Sequence, residues 1–106
     1  MYIQWTTIKM LQNNLKISKS ITGKLISKHN VTVDEVFECF LNRIKGLLED
    51  TRVNHKTNPP TLWFISETDH ARRLKIVFIQ LANGGYEVKT AYEPNDMEVK
   101  IYEQYA

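Results

Sequence analysis

The chain holds a single cysteine, Cys39, which rules out an internal disulfide and points to a reducing compartment. An unpaired cysteine of this kind most often packs as a small apolar side chain. No Cys/His spacing for zinc, no glycine-rich phosphate loop and no G-x-S-x-G elbow occurs, so the corresponding metal, nucleotide and hydrolase classes fall away and no cofactor is expected. Long apolar runs are also missing. The longest, Leu62 to Ile65 and Ile76 to Ile79, are four residues each, far short of the roughly 20 that cross a bilayer. The start, Met1 to Lys9, lacks the basic-then-apolar order of a secretory signal, so a soluble cytoplasmic protein with no membrane partner is expected. Acids are absent from residues 1 to 30, which carry Lys9, Lys16, Lys19, Lys24 and Lys28, although the whole chain is only +2. That basic end suits an anionic partner or a solvated helix face.

What is present fits one small globular unit. The 106 residues are 42% hydrophobic and 25% charged, which is ordinary domain usage, and residues 1–106 read as a single domain in which 1–15 show no persistent period. A helix is predicted near Ser20 to His29, with Ile21 and Leu25 one turn apart. The next helix is signalled more clearly. Thr32 and Glu35 form a capping box, Val31 can staple onto Val36, and Val33, Val36, Phe37, Phe40, Leu41 and Ile44 make an apolar face that Gly46 would end. The period then changes. Leu47 and Leu48 open a short strand, residues 51–60 form a polar loop, and strands follow over 61–68, 73–81 and 86–93. Asn83-Gly84-Gly85 signals the hairpin between the last two, because these residues tolerate positive φ. Asn95 and Glu98 cap a terminal helix bearing Met97, Ile101, Tyr102 and Tyr105. The expected fold class is therefore α+β: two N-terminal helices, a four-stranded, mostly antiparallel sheet and a C-terminal helix.

Three polar clusters on the sheet half can carry chemistry. In the 49–57 loop, the imidazole of His55 can transfer protons, and Arg52 and Lys56 can bind an anionic substrate; a solvent-exposed loop histidine is the competing reading. His29 reads as a helix-end residue and His70 as a solvated turn residue. Arg72, Arg73 and Lys75 open one strand, while Lys89, Tyr92 and Glu93 close its antiparallel partner, so the two sets are neighbours in space. Which of them share a face depends on the hairpin. A two-residue turn pairs Lys75 with Tyr92, whereas a three-residue loop, the favoured arrangement, gathers Arg73, Lys75 and Lys89 on one side and Leu74, Ile76, Phe78, Val88, Thr90 and Tyr92 on the other. The first side also carries Val77 and Ile79, so a helix must partly cover it. A basic strip with Trp63 and Tyr92 nearby suits single-stranded RNA, where cations hold phosphates and rings stack bases. Surface ion pairing with Glu67, Glu87 and Glu93 competes with that reading.

Two stretches carry a resemblance to a known family. Lys28-His29-Asn30-Val31, followed by Asp34, Glu35, Phe37 and Phe40, resembles the K-H-G-V helix entry of the BrnT toxins, with Asn30 in place of the glycine. Thr90-Ala91-Tyr92 with Glu98, Tyr102 and Glu103 is similar to that family's closing S-A-R, E and Y-E pattern, with Tyr92 in place of the arginine. Order and spacing are kept over roughly residues 16–106. The resemblance implies the RelE-like ribonuclease fold and a toxin of a bacterial toxin–antitoxin pair that cuts RNA and is silenced by a partner antitoxin. A homo-oligomer is compatible with it. Under that reading His55, Arg52, Arg73, Lys75 and Tyr92 are the catalytic candidates, and Lys56, Trp63, Arg72 and Lys89 the RNA-binding ones. The segments Glu49 to Arg52 and Pro59 to Phe64 are also similar to those of short chains called ADP-ribosyl-(dinitrogen reductase) hydrolases. True hydrolases of that name are much larger helical enzymes with acidic metal sites.

Overall fold

Backbone geometry at the two helix starts follows directly from side-chain chemistry. In the computed structural model, which describes residues 14–52 and 57–106, helix α1 spans Lys19–His29 and helix α2 spans Val33–Asn42. Ser18 caps α1 by accepting from the Ile21 amide. The Thr32 hydroxyl accepts from the Glu35 amide and Glu35 accepts from the Thr32 amide, the reciprocal box expected from the sequence. Between the helices Asn30 takes a left-handed conformation, φ 53°, and the Val31 amide reaches back to the Leu25 carbonyl at 3.0 Å. An asparagine tolerates that conformation, so it stops α1 and starts α2 within three residues.

Strand β1 is Leu15–Lys16, β2 is Leu48–Glu49, β3 is Thr61–Glu67, β4 is Arg73–Gln80 and β5 is Tyr86–Tyr92; helix α3, Asp96–Tyr105, closes the chain. The sheet has five strands in the order β1-β5-β4-β3-β2. All its pairings are antiparallel except β1 with β5, so the expected four-stranded, mostly antiparallel sheet becomes, among the described residues, a mixed sheet of five. A short extended piece at Lys16 is legible from the sequence, but two residues carry no alternation to announce a sheet partner. Its pairing rests on Gly85, where an added Cβ would meet the Asn14 carbonyl oxygen at 3.1 Å, so glycine lets the incoming chain lie against β5.

Alternation along β4 divides the two faces. Leu74, Ile76 and Phe78 are buried on one side, where α2 packs on β3 and β4 and α1 packs on β5. There Phe40 packs edge-on against Phe64 and Phe78, with ring centroids 4.9 and 5.3 Å apart, and Leu25, Val31, Val36 and Cys39 complete the core. Burial pushes the Cys39 thiol up to about 12, so it stays protonated and packs as the small side chain expected. The other side, with Lys75 and Val77, is covered by α3, whose Tyr102 lies against Trp63 at 5.7 Å. Among the described residues no helix is long and apolar enough to cross a membrane.

Two local expectations are corrected. Helix α2 ends at Asn42 with Arg43 extended, so Ile44 stands 95% exposed outside it and Gly46 is not its cap. The Gly46 carbonyl instead accepts the Tyr102 hydroxyl at 2.8 Å. In the β4–β5 hairpin Gln80 pairs with Tyr86 and Phe78 with Val88, but Val77 pairs with Thr90 and Lys75 with Tyr92. A bulge at Lys89 absorbs the extra residue. Val88 thus faces the helix-covered core as expected, while Thr90 and Tyr92 move to the Lys75 side.

Candidate functional site

The bulge decides which groups meet. With Tyr92 opposite Lys75 and Ile65 on the other flank of Lys75, the end of the sheet offers an ammonium, a phenol and the indole of Trp63 on one surface. Pro94 and the cap Asn95 then turn the chain so that α3 begins directly over it. In a capping box the third helical residue points back at the helix start, which here sets Glu98 above Lys75 and Tyr92.

The resulting hub is tight. Glu98 Oε1 accepts from the Asn95 amide at 3.0 Å, while Oε2 accepts from Lys75 Nζ and from the Tyr92 hydroxyl, each at 2.7 Å. Lys75 is 8% exposed, and its Nζ also lies 4.4 Å from the Trp63 ring centre and 5.6 Å from that of Tyr92. Such contacts explain how a lysine is held inside: its charge meets a carboxylate and two π faces. Burial alone would raise the Glu98 carboxyl, but the bonds from Lys75, Asn95 and Tyr92 outweigh it and hold Glu98 below the usual carboxylate range. Burial, reinforced by the bond to Glu98, pushes the Tyr92 phenol up despite Lys75, so Tyr92 keeps its proton. His29, in the last turn of α1, brings its ring within 5.6 Å of the Tyr92 ring.

Arg52 has a different partner. Its guanidinium grips Asp50 through two bonds of 2.9 and 2.7 Å, which raises its pKa, yet its side chain remains 65% exposed. The Glu98 carboxylate adds a weaker, through-space pull on the same charge.

Arg72 is directed elsewhere. It sits on the α1–α2 side, where it bonds Glu35 at 3.0 Å, Glu93 at 2.9 Å and the carbonyl oxygens of His29 and Asn30. Burial would raise Glu35, yet the Thr32 amide and Arg72 hold it below the usual range. Arg72 thus clamps the helix junction to the sheet. Both capping-box glutamates therefore do double duty, each closing a helix start with one oxygen while binding a cation from the start of β4 or the residue before it.

The remaining expected residues are dispersed. Lys89 is exposed at the bulge and lies 3.5 Å from Glu87. Arg73 is exposed, opposite Glu67 in the ladder, and lines a groove of about 650 Å³ floored by Ile65, Val99 and Tyr102. Lys75, Tyr92 and Glu98 do not line that groove. Trp63, expected to stack a base, is 8% exposed between Lys75 and Tyr102, so base stacking there requires the ring to be uncovered. His55 and Lys56 lie outside the described residues. Arg73 and Lys75 share a face of β4 as expected, but Lys75 meets Tyr92 and Glu98, with His29 against Tyr92, while Lys89 stands at the bulge beside Glu87.

Sequence reasoning missed Glu98 and His29 as members of the cluster. Glu98 had a signal, since a capping-box glutamate directly after a strand must lie over that strand's end. Scans against protein-family models, curated proteins and solved structures returned no match.

Proposed function

We propose that this chain is the toxin of a bacterial toxin–antitoxin pair and cleaves RNA at the Tyr92–Glu98–Lys75 hub. The observation that carries the reading is the convergence of a phenol and an ammonium on one carboxylate oxygen, 2.7 Å from each. The BrnT-like pattern supports it at Glu98, which matches that family's closing glutamate, while Tyr92 stands where the family has arginine.

In this reading Arg52 holds the scissile phosphate, with Arg73 and Lys89 on the approach. Tyr92 takes the proton from the ribose 2′-hydroxyl as it passes its own to Glu98, and Lys75 steadies the negative charge that Tyr92 gains in transit. The freed 2′-oxygen forms a bond to phosphorus and the bond to the 5′-oxygen breaks. His55 donates the proton that the leaving 5′-oxygen needs. The products are a 2′,3′-cyclic phosphate and a 5′-hydroxyl, and no oxidant or cofactor enters. The antitoxin silences the chain in the cytoplasm by covering this face.

A second reading has its own observation. Lys75 is neutralised by Glu98 and Arg72 by Glu35 and Glu93, which suits a non-catalytic binding module on the same fold. Induced expression separates the two: the toxin reading requires growth arrest and truncated messenger RNA, both relieved by Tyr92→Phe or Glu98→Gln at unchanged protein level. Removing a proton-transfer group should slow cleavage about 10²- to 10⁴-fold. Normal growth with intact RNA leaves the binding module as the reading to keep.

A further inference from the structure

Helix α1 carries a charge pattern that the hub does not use. Its inward side is Leu25, 1% exposed, with the half-buried Ile21 and His29 one turn to either side. At 100° per residue, Lys24 and Lys28 then line one flank of the outward surface and Lys19 the other, with Ser20, Gly23 and Ser27 between them. All three lysines, and Lys16 just before the helix, are exposed, and none has an ion pair among the described residues. No acid lies within α1 to pair with them, Asp34 being the first in the chain. Residues 34–106 contain all twelve acids against nine Lys and Arg, so the excess of positive charge belongs to the segment that includes α1.

We propose that this side of α1 binds the phosphate backbone of RNA and feeds the strand toward Tyr92. The chemistry of the face favours a backbone over an acidic protein. Protein interfaces are anchored by buried aromatic and large apolar side chains, whereas Ile26, 55% exposed, is the one large apolar residue exposed on α1. Lysines are point charges without the planar fork that reads a base edge or grips a carboxylate in two bonds, which suits contacts that position a strand without reading its sequence. The spacing also fits. Lys24 and Lys28 are one turn apart, about 6 Å along the axis. An added Cβ at Gly23 would meet nothing within 4 Å, so a strand can approach closely. The face also leads into the hub: Lys28 is followed by His29, whose ring lies against that of Tyr92.

The RNA ligand is taken from the proposed function, but the claim concerns holding the strand and not cutting it. The test uses the full chain and a labelled, 2′-O-methylated single-stranded oligonucleotide that cannot be cleaved, with binding followed by anisotropy across a salt series. Each phosphate contact on a single strand contributes about −0.7 to the slope of log K against log salt, so a Lys19→Ala/Lys24→Ala/Lys28→Ala variant should bind more weakly and with a slope shallower by about 2. A Lys45→Ala/Lys100→Ala variant, altered elsewhere on the surface, should match the parent. Equal affinity and slope in the triple variant overturn the proposal. So does a preference for poly-glutamate over the oligonucleotide that disappears with the same three lysines. Glu98→Gln, assayed also on the unmodified RNA, separates the two claims: it should keep the salt slope while cleavage falls, and if cleavage survives in it, the hub assignment fails while the helix face stands.

Discussion

Replacing Lys75 by methionine tests whether the hub is a coupled unit or a set of separate contacts. Methionine keeps most of the unbranched apolar stem beside Trp63 and removes the charge. Left behind is the Glu98 carboxylate, its side chain 18% exposed, with the Asn95 amide and the Tyr92 hydroxyl but no cation. Stranding one partner of a fully buried pair costs about 3–5 kcal/mol, and the partial exposure here reduces that to about 2–3 kcal/mol. Losing the ammonium from the Trp63 face adds about 1 kcal/mol. For a domain of this size the sum corresponds to a fall in melting temperature of roughly 10–25 °C. Glu98→Gln alone should cost less, because the amide oxygen can still accept from Asn95 or Tyr92, yet it strands the ammonium. The double variant Lys75→Met/Glu98→Gln should then be more stable than the sum of the singles by about 1–3 kcal/mol, since neither charge remains unpaired. Urea unfolding of the four proteins measures this directly. Additive single effects, or a Lys75→Met cost below about 0.5 kcal/mol, would falsify the claim that the ion pair organises this end of the sheet.

Other expectations are read from the same contacts. Arg72→Ala should cost about 2–4 kcal/mol in denaturant unfolding, because two carboxylates and two carbonyls lose one shared donor, and Arg72→Lys should restore only part of it. Asn30→Ala should destabilise by about 1 kcal/mol, whereas Asn30→Gly should be neutral or better; the reverse order would contradict the left-handed cap. Glu35 and Glu98 both have folded-state values below their unfolded ones, so the stability they supply is complete above the unfolded carboxylate value, about 4.3, and is lost as pH falls from there through the lowered values. Unfolding free energy should therefore drop steeply below about pH 4 in the parent and less so in a Glu35→Gln/Glu98→Gln variant, and parallel pH profiles would count against the assignment.

Local signals carried much of the fold into the sequence. Both capping boxes, the α1–α2 junction at Asn30, the Asn83-Gly84-Gly85 hairpin and the buried alternation of β4 are short-range chemistry, each set by residues a few positions apart. The helix over the Lys75 side was legible too, because Val77 and Ile79 needed a cover. Boundaries set by competition were not. Ile44 keeps helical spacing, but the chain leaves α2 at Asn42, whose side chain bonds the Glu67 carbonyl and the Asp69 carboxylate.

Residue types and their spacing thus determined which elements form and which faces are apolar, since propensity, capping and periodicity act within a turn or a strand. The tertiary structure alone decided who meets whom at the end of the sheet. One extra residue in β5 reverses the faces of everything beyond it, and a two-residue parallel strand adds an edge with no pattern to announce it. The register brought Tyr92 to Lys75, and the angle of α3 set Glu98 over both. Pairing across a sheet depends on where a bulge relieves the competition between hairpin geometry and core burial, and that balance is a property of the packed molecule.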